Sequence, residues 1–233
     1  MFAVLFEVQP KADRGDAYFA IAKALRPELE GIDGFVDNVR YRSLTRPGWL
    51  LSVSTWRDEK ALVRWRTAAN HHDVQRHGRD GVLQDYRLRV GEVTRDTRLP
   101  AGCELREQRL DETAAGAATA ATLADARWPA ERVHAATPAD CAAALGLDLG
   151  AAGLVGWDVF EAVLTPGDVA LLASWRDAPA ADAHERAAAP TVEARFRRIR
   201  IVRDYGLHDR REAPQYYPPI GSIADQSGSA PLA

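Results

Sequence analysis

The alternation of apolar and polar residues divides the first half of the chain into six elements. Four segments alternate with the two-residue period of a strand, and two repeat apolar residues at helical spacing. Asp13 or Asp16 is expected to cap the first helix and Asp58 the second. The order β-α-β-β-α-β is that of the split βαβ or ferredoxin-like unit. The strands are predicted at residues 2–8, 35–44, 49–56 and 86–94, and the helices at 16–29 and 58–79.

The second half repeats this pattern less regularly. The motif Trp-Arg-Asp follows an apolar run at residues 56–58 and again at 175–177, and Arg-Asp recurs downstream at 95–96 and 203–204. Two anchors in the same order predict an internal duplication. The distance along the sequence from the motif Trp to the Arg-Asp pair is 39 residues in the first copy (56 to 95) and 28 residues in the second (175 to 203). The strands are predicted at 117–126, 154–164, 169–175 and 196–205, and the helices at 138–147 and 178–188.

These elements predict an α+β protein of two tandem ferredoxin-like domains. Each unit has one sheet face without helices, and pairing the two sheets face to face would cover both apolar faces. The difference between the two spacings predicts that the second unit has lost about three helical turns or the loop after them. We expect a first domain at 1–97, a connector at 98–116, a second, divergent domain at 117–210 and a flexible C-terminal tail at 211–233.

Composition narrows the class of protein. Hydrophobic residues make up 46% of the chain and charged residues 27%, a balance typical of globular domains, and the net charge of −3 argues against nucleic-acid binding. Cys103 and Cys141 form no Cys-x-x-Cys pair, so neither a zinc site nor a redox motif is indicated. The N-terminus lacks a signal sequence, and no apolar run has the length of a membrane span. We therefore expect a cytoplasmic protein that binds neither nucleic acid nor membrane.

A longer pattern begins at the first Trp-Arg-Asp motif. It consists of residues 56–66, His71, Gln75, Gly78-Arg79 and residues 85–90. This pattern resembles the antibiotic biosynthesis monooxygenase family of the dimeric α/β-barrel superfamily. The likeness covers about residues 1–97, and residues 202–210 resemble the C-terminal ends of family members. Because family members are typically homodimers whose sheets combine into one barrel, the resemblance implies an intrachain α/β barrel here. The protein would be a monomer with an internal pseudo-dimer, or a homodimer.

The resemblance also implies an activity. It suggests a cofactor-independent monooxygenase that acts with O2 on an aromatic or polyketide-type small molecule. In that chemistry a base removes a proton from an activated phenol, the carbanion gives an electron to oxygen, and an apolar cavity keeps water away. Because the family also includes heme-degrading enzymes and small proteins without an established reaction, a heme-binding or heme-degrading monooxygenase and a non-catalytic ligand-binding module are the alternatives.

The heme alternative has a sequence test. The heme-degrading branch places Asn on the first strand, Trp on the second helix and His ten residues after that Trp. Here Glu7 stands near the first position, Trp65 at the second and Gln75 at the third, so two of the three groups differ. Glutamine is a poor iron ligand, which is why no cofactor is expected and heme remains the alternative. No metal site is expected either, because the histidines at 71, 72 and 77 lack zinc-binding i, i+4 spacing.

Candidate site residues follow from chemistry and from the resemblance. His71 is the expected acid or base because imidazole titrates near neutral pH, although a histidine near a helix end is also favoured by the helix dipole. Trp65 would line the pocket, and Glu7 would be a base of raised pKa if it faced the pocket. Arg79 would bind an anion unless Gly78 merely caps the helix. The catalytic candidates are thus His71, Trp65 and Glu7, and the substrate-binding candidates are His72, Gln75, Arg79 and Tyr86.

Two further groups are expected to be structural. Trp56 and Trp175 end strands and would pack beneath a helix. Arginines alternate along two strands and are predicted to form a solvated face; they are Arg40, Arg42, Arg87 and Arg89.

Overall fold

The elements of the chain are taken from a computed structural model, which describes residues 1–68, 74, 78–106 and 116–209, apart from the side chain of Asp80. The strands are β1 (Phe2–Pro10), β2 (Phe35–Ser43), β3 (Leu50–Trp56), β4 (Leu83–Asp96), β5 (Ala120–Arg127), β6 (Leu154–Ala162), β7 (Asp168–Trp175) and β8 (Arg195–Gly206). The helices are α1 (Gly15–Ala24), α2 (Arg26–Glu30), α3 (Glu59–Thr67), α4 (Ala130–Ala135), α5 (Pro138–Ala144) and α6 (Ala178–Ala187), and a π-helical turn, Gly78–Val82, precedes β4.

The eight strands form one closed antiparallel barrel in the order β1-β3-β2-β6-β7-β5-β8-β4. The predicted α+β class and ferredoxin-like topology are confirmed. The two halves meet at two seams, where β2 pairs with β6 and β4 pairs with β8. Closure therefore leaves none of the eight described strands as an edge with unpaired backbone groups.

Side chains alternate between the inside of the barrel and the space under the helices. In β1, Ala3 and Leu5 point into the barrel interior, whereas Phe2 packs beneath the helices with Trp56. Trp56 and Trp175 are both fully buried, as predicted. Within the described ranges, no helix combines the length and the apolar character needed to cross a bilayer.

The helix after β3 is shorter than predicted. Asp58 is its N-cap, as predicted, and accepts a hydrogen bond of 2.8 Å from the Ala61 amide. The helix ends at Thr67 because Ala68 is extended, so the single helix predicted over 58–79 is wrong. Gly78 lies outside the set of positive-φ glycines and begins the π-helical turn, so it is not a left-handed C-cap. α1 also differs from prediction, because Arg14 precedes it without a side-chain cap.

The second half keeps the same element order with changes in the helical layer. It contains α4, which the sequence pattern did not predict, and α5 ends at Ala144 where the pattern extended to 147. The lengths of α3 and α6 are nine and ten residues. The extra residues of the first half therefore lie between α3 and β4, and not in a longer helix.

One close contact between strand and helix occurs in both halves. Gly34 has φ +89°, and a Cβ there would lie 2.7 Å from the Ala61 Cβ. Gly153 has φ +84°, and a Cβ there would lie 2.5 Å from the Ala180 Cβ. In each half the glycine carbonyl also accepts a 2.8 Å hydrogen bond from the amide of the motif arginine. Only glycine fits both the backbone conformation and the gap.

We expect Gly34→Val and Gly153→Val each to destabilise the protein by about 2–5 kcal/mol, because left-handed strain and overpacking add. Urea unfolding would measure the loss. Gly15→Ala is the matched control, since a Cβ at Gly15 would meet no atom within 4 Å. Unchanged stability in both valine variants would contradict the assigned contact.

Candidate functional site

A cavity of about 330 Å³ lies between the sheet and the helices of the first half. Its floor is the outward face of β1, β2, β3, β4 and β8, and its roof is formed by α1, α2, α3 and the π-helical turn. This volume is at the lower end of the range of about 300–1,000 Å³ found for small-molecule pockets. The cavity is therefore large enough for a small organic ligand.

The floor is polar at its two sides and apolar between them. Two rows of paired residues cross it, following the strand order β2-β3-β1-β4-β8. One row is Arg40, Ser52, Phe6, Leu88 and Tyr205, and the other is Asn38, Ser54, Val4, Val90 and Arg203. Neighbouring strands are about 4.8 Å apart, so the two sides of the floor are separated by about 19 Å along the sheet.

Four arginines line this cavity, namely Arg40, Arg66, Arg79 and Arg203. None of them forms an ion pair with a carboxylate whose position the structure describes. The arginines inside the barrel are different, since Arg87, Arg89, Arg195 and Arg197 each pair with a carboxylate. An apolar cavity lined by arginines that have no carboxylate partner among the described residues favours an anionic ligand.

Three of the predicted site residues line the cavity. Trp65 projects from α3 and is 9% exposed, in a cluster with Val202 and Val90. Tyr86 and Arg79 also contribute to the lining. His71, His72 and Gln75 lie outside the described residues, and their roles stay predictions.

Glu7 does not face the cavity. It points into the barrel interior, where its carboxylate accepts 2.6 Å hydrogen bonds from Arg89 and Arg46. Burial alone would raise the pKa of Glu7, but these two guanidinium groups outweigh it and lower the pKa below its usual value. The predicted role of Glu7 as a pocket base of raised pKa is therefore contradicted.

The ion pair of Glu7 has a counterpart at the other end of the barrel. Glu7 pairs with Arg89 between β1 and β4, and Asp125 pairs with Arg197 between β5 and β8. Arg87–Asp204 and Arg195–Asp96 form a second matched set. Asp96 and Asp204 are the aspartates of the repeated Arg-Asp sequence. The repeat was therefore the sequence feature from which this second set of ion pairs could have been found.

The prediction that alternating arginines form a solvated face fails for most of them. Arg89 is 1% exposed, and its guanidinium also donates a 2.7 Å hydrogen bond to the Ser174 hydroxyl. Arg87 is partly buried against Asp204, and Arg40 lines the cavity. Of the four, only Arg42 is an exposed residue. Hydrophobic alternation could not reveal this, because Arg87 and Arg89 face a closed interior whose far side comes from the other half.

In the second half, side chains fill the space between sheet and helices that corresponds to the first cavity. Leu145, Cys141 and Ala142 pack with Leu171 and Ala124 of the sheet in one buried cluster. His184 lies seven residues after its N-cap Asp177, as Trp65 does after Asp58, and it stacks on Trp175 with 4.7 Å between ring centroids. A second cavity of about 380 Å³ lies by α5 and α6, but no strand residue lines it.

The described residues hold no group of three or more His, Cys, Asp or Glu side chains that would bind a metal ion. The described lining of the first cavity also contains no histidine or cysteine. Its chemistry is that of tyrosine, serine, asparagine and arginine side chains around an apolar centre. Such a set can bind, orient and shield a small anion.

Comparison with known proteins decides the family. The family model described as antibiotic biosynthesis monooxygenase matches residues 1–77. A protein of Pyricularia oryzae named jasmonate monooxygenase ABM is 49% identical over 231 residues, which cover 94% of this chain and 99% of that protein. The chain belongs to the antibiotic biosynthesis monooxygenase family. The family resemblance stated from the sequence is thus confirmed, and it extends beyond residue 97.

Solved structures add a likeness of fold to this family assignment. The crystal structure of an aldoxime dehydratase is 12% identical, covers 91% of this chain and 88% of its own, and superposes with a TM-score of 0.54. A crystal structure described as an antibiotic biosynthesis monooxygenase is 14% identical and covers 39% of this chain and 95% of its own, with a TM-score of 0.35. At these identities the first comparison shows a shared fold and no more.

Proposed function

We propose that this family member is a monooxygenase that inserts one oxygen atom of O2 into a small, mainly apolar carboxylic acid. The observation that carries the proposal is the cavity, whose apolar floor ends at Arg203, a cation without an ion-pair partner among the described residues. The name of the 49% identical relative supports it. A jasmonate has this chemistry, with one carboxylate on an apolar cyclopentanone frame.

The cavity supplies position and shielding for this reaction. Val4, Phe6, Leu88 and Val90 form the apolar centre of the floor, and Trp65 covers it from α3. Excluding water protects reactive oxygen intermediates and strengthens the attraction between a buried cation and a carboxylate. Arg203 would hold the carboxylate, and Trp65 would fix the apolar frame. Among the predicted residues, His71 remains the proposed acid or base.

Cofactor independence remains part of the proposal, with one chemical condition. Monooxygenation places one oxygen atom in the product and reduces the other to water, which consumes two electrons. An activated phenol or polyketide ring supplies these electrons itself when it becomes a quinone. A jasmonate-type carbon does not, so its hydroxylation requires an external two-electron reductant. The two substrate classes therefore differ in their need for a reductant.

Product analysis under ¹⁸O2 tests the function. We expect jasmonic acid to gain one labelled oxygen atom when the purified protein is supplied with NADPH as reductant. Dithranol, a polyketide-type phenol, is tested in parallel without reductant, and its labelled oxidation above the rate in buffer would favour the aromatic alternative. Binding of either compound without labelled product would support the non-catalytic ligand-binding alternative. Mass spectrometry reads all three outcomes.

The heme alternative is tested by the visible spectrum. Glutamine stands at position 75, where the heme-degrading branch has histidine, and glutamine is a poor iron ligand, so we expect added hemin to give no stoichiometric Soret band. A tight one-to-one complex would replace the proposed function by the heme alternative. Denatured protein with the same amount of hemin is the control.

We infer that the two halves descend from one duplicated unit, and that only the first kept its cavity. The matched N-caps Asp58 and Asp177, the matched glycine–alanine contacts and the matched interior ion pairs support this inference. The proposed units keep the predicted limits of 1–97 and 117–210. Because the barrel closes within one chain, a monomer is the proposed state.

A further inference from the structure

One side of the cavity floor presents polar atoms that have no partner in the described part of the chain. On β2, the side chains of Asn38 and Arg40 both face the cavity, two residues apart. The Asn38 Oδ1 and the Arg40 Nε are buried and make no hydrogen bond there. Unsatisfied buried polar atoms are unfavourable by about 1–3 kcal/mol each, so the pair is suited to a ligand that satisfies them.

The orientation of Asn38 is fixed by its neighbours. Its Nδ2 donates hydrogen bonds of 2.9 Å to the Ser52 hydroxyl and 3.0 Å to the Val53 carbonyl oxygen. A carbonyl only accepts, so the amide nitrogen must face Val53, and the amide oxygen is the atom left without a hydrogen-bond partner in the described part of the chain. Asn38 therefore presents an acceptor to the ligand.

Arg40 presents a donor beside this acceptor. Its guanidinium acts electrostatically on the hydroxyl of Tyr18, which is a buried residue of α1. Burial raises the pKa of Tyr18, and the nearby guanidinium of Arg40 opposes this rise. The Nε–H of Arg40 is left for the ligand. Positions i and i+2 on a strand are about 6.7 Å apart, a gap that one bridging group spans.

We propose that the Asn38–Arg40 pair is a recognition point for a hydroxyl group of the substrate, separate from the contact of its carboxylate. A hydroxyl donates to the Asn38 oxygen and accepts from the Arg40 Nε–H, and so satisfies both atoms at once. A ketone would satisfy Arg40 alone, and a carboxylate would place its oxygens against the Asn38 oxygen. This inference rests on the proposed function, since it assigns a second polar contact of the same substrate.

Calorimetric titration with two matched compounds tests the inference. The compounds are jasmonic acid, which carries a ring ketone, and the ring alcohol obtained from it by borohydride reduction. The protein should bind the alcohol about 3- to 10-fold more tightly than the ketone, the range expected for one additional neutral hydrogen bond. Asn38→Leu should bring the ratio of the two dissociation constants close to one.

Two further variants complete the design. Arg40→Met should also remove the preference, and it serves if Asn38→Leu does not fold. Arg42→Met is the matched control, because Arg42 lies on the same strand but is exposed, and the ratio should not change. Equal affinity for ketone and alcohol in the wild-type protein, or a preference that survives Asn38→Leu and Arg40→Met, overturns the inference.

The proposed function fails by a different result. Because the ratio is a binding measurement, a protein that prefers the alcohol yet yields no labelled product refutes the oxygenase and leaves the recognition point standing. If jasmonic acid is oxygenated but the ketone and the alcohol bind equally well, the oxygenase stands and the recognition point is refuted. If neither compound binds, both proposals are wrong.

Discussion

Arg89→Met should destabilise the protein by about 3–5 kcal/mol, because breaking this buried ion pair leaves the buried carboxylate of Glu7 with the partly exposed Arg46 as its remaining ion-pair partner among the described residues. Arg89 is 1% exposed and holds both Glu7 and Ser174 inside the barrel. In a chain of this size the loss corresponds to a fall in Tm of about 6–20 °C. Calorimetry or thermal unfolding followed by circular dichroism measures it.

The matched controls come from the structure itself. The double variant Arg89→Met/Glu7→Leu should recover much of the loss, since it removes both charges and leaves Arg46 paired with Asp158. Arg197→Met at the equivalent site should have a smaller effect, because its partner Asp125 has a side chain that is 30% exposed. Equal losses at the two sites would contradict the importance given to burial.

The effect of Arg89→Met should also depend on pH. The pKa of Glu7 is lowered in the folded protein, so its contribution to stability is present above the ordinary glutamate pKa of about 4.3 and is lost as the pH falls through the folded value. In the variant, Glu7 loses one of the two guanidinium groups that lower its pKa, so its pKa lies above the wild-type value and protonation relieves the buried charge at a higher pH. The difference in stability between wild type and variant should therefore shrink between pH 7 and pH 4.

The second large effect is expected at Arg203. Arg203→Met should weaken the binding of jasmonic acid by about 10- to 100-fold, the loss of a charge-assisted hydrogen bond worth about 1.5–3 kcal/mol. The methyl ester of jasmonic acid should be bound with little change, since it carries no charge. Titration calorimetry with the acid and the ester separates charge recognition from loss of packing.

Arg186→Met is the control for Arg203→Met. Arg186 is exposed on α6 in the half whose cavity is filled, so its loss should affect neither ligand. A similar weakening for acid and ester in Arg203→Met would mean that Arg203 acts through packing. Unchanged affinity for the acid would place the carboxylate elsewhere in the cavity.

The sequence predicted the strands, the ferredoxin-like order and the family, because these depend on local periodicity and on the motif around Trp56. It did not predict the end of α3 at Thr67, since the apolar spacing continues past it, nor the short helix α4. Trp65 was recognisable as a cavity residue because its helix position and the family pattern agreed.

The remaining site residues depend on which face of a strand points where. Glu7 was a candidate base on the condition that it faced the pocket, and it lies in the barrel interior instead, because one step along a strand exchanges the two sides. Asn38, Arg40 and Arg203 were missed as cavity residues, since β2 and β8 reach the same floor only when the barrel closes. Such long-range pairing has no signature in a local pattern.

Closure of the barrel within one chain also changes what a single substitution can do. In an assembly of two identical chains, every mutation occurs in both halves of the barrel at once. Here each half has its own residues, so a substitution that fills the space between sheet and helices in one half leaves the corresponding space in the other half open. Because the two halves change independently, the second half can gain stability through tighter packing while the first half keeps its ligand-binding cavity.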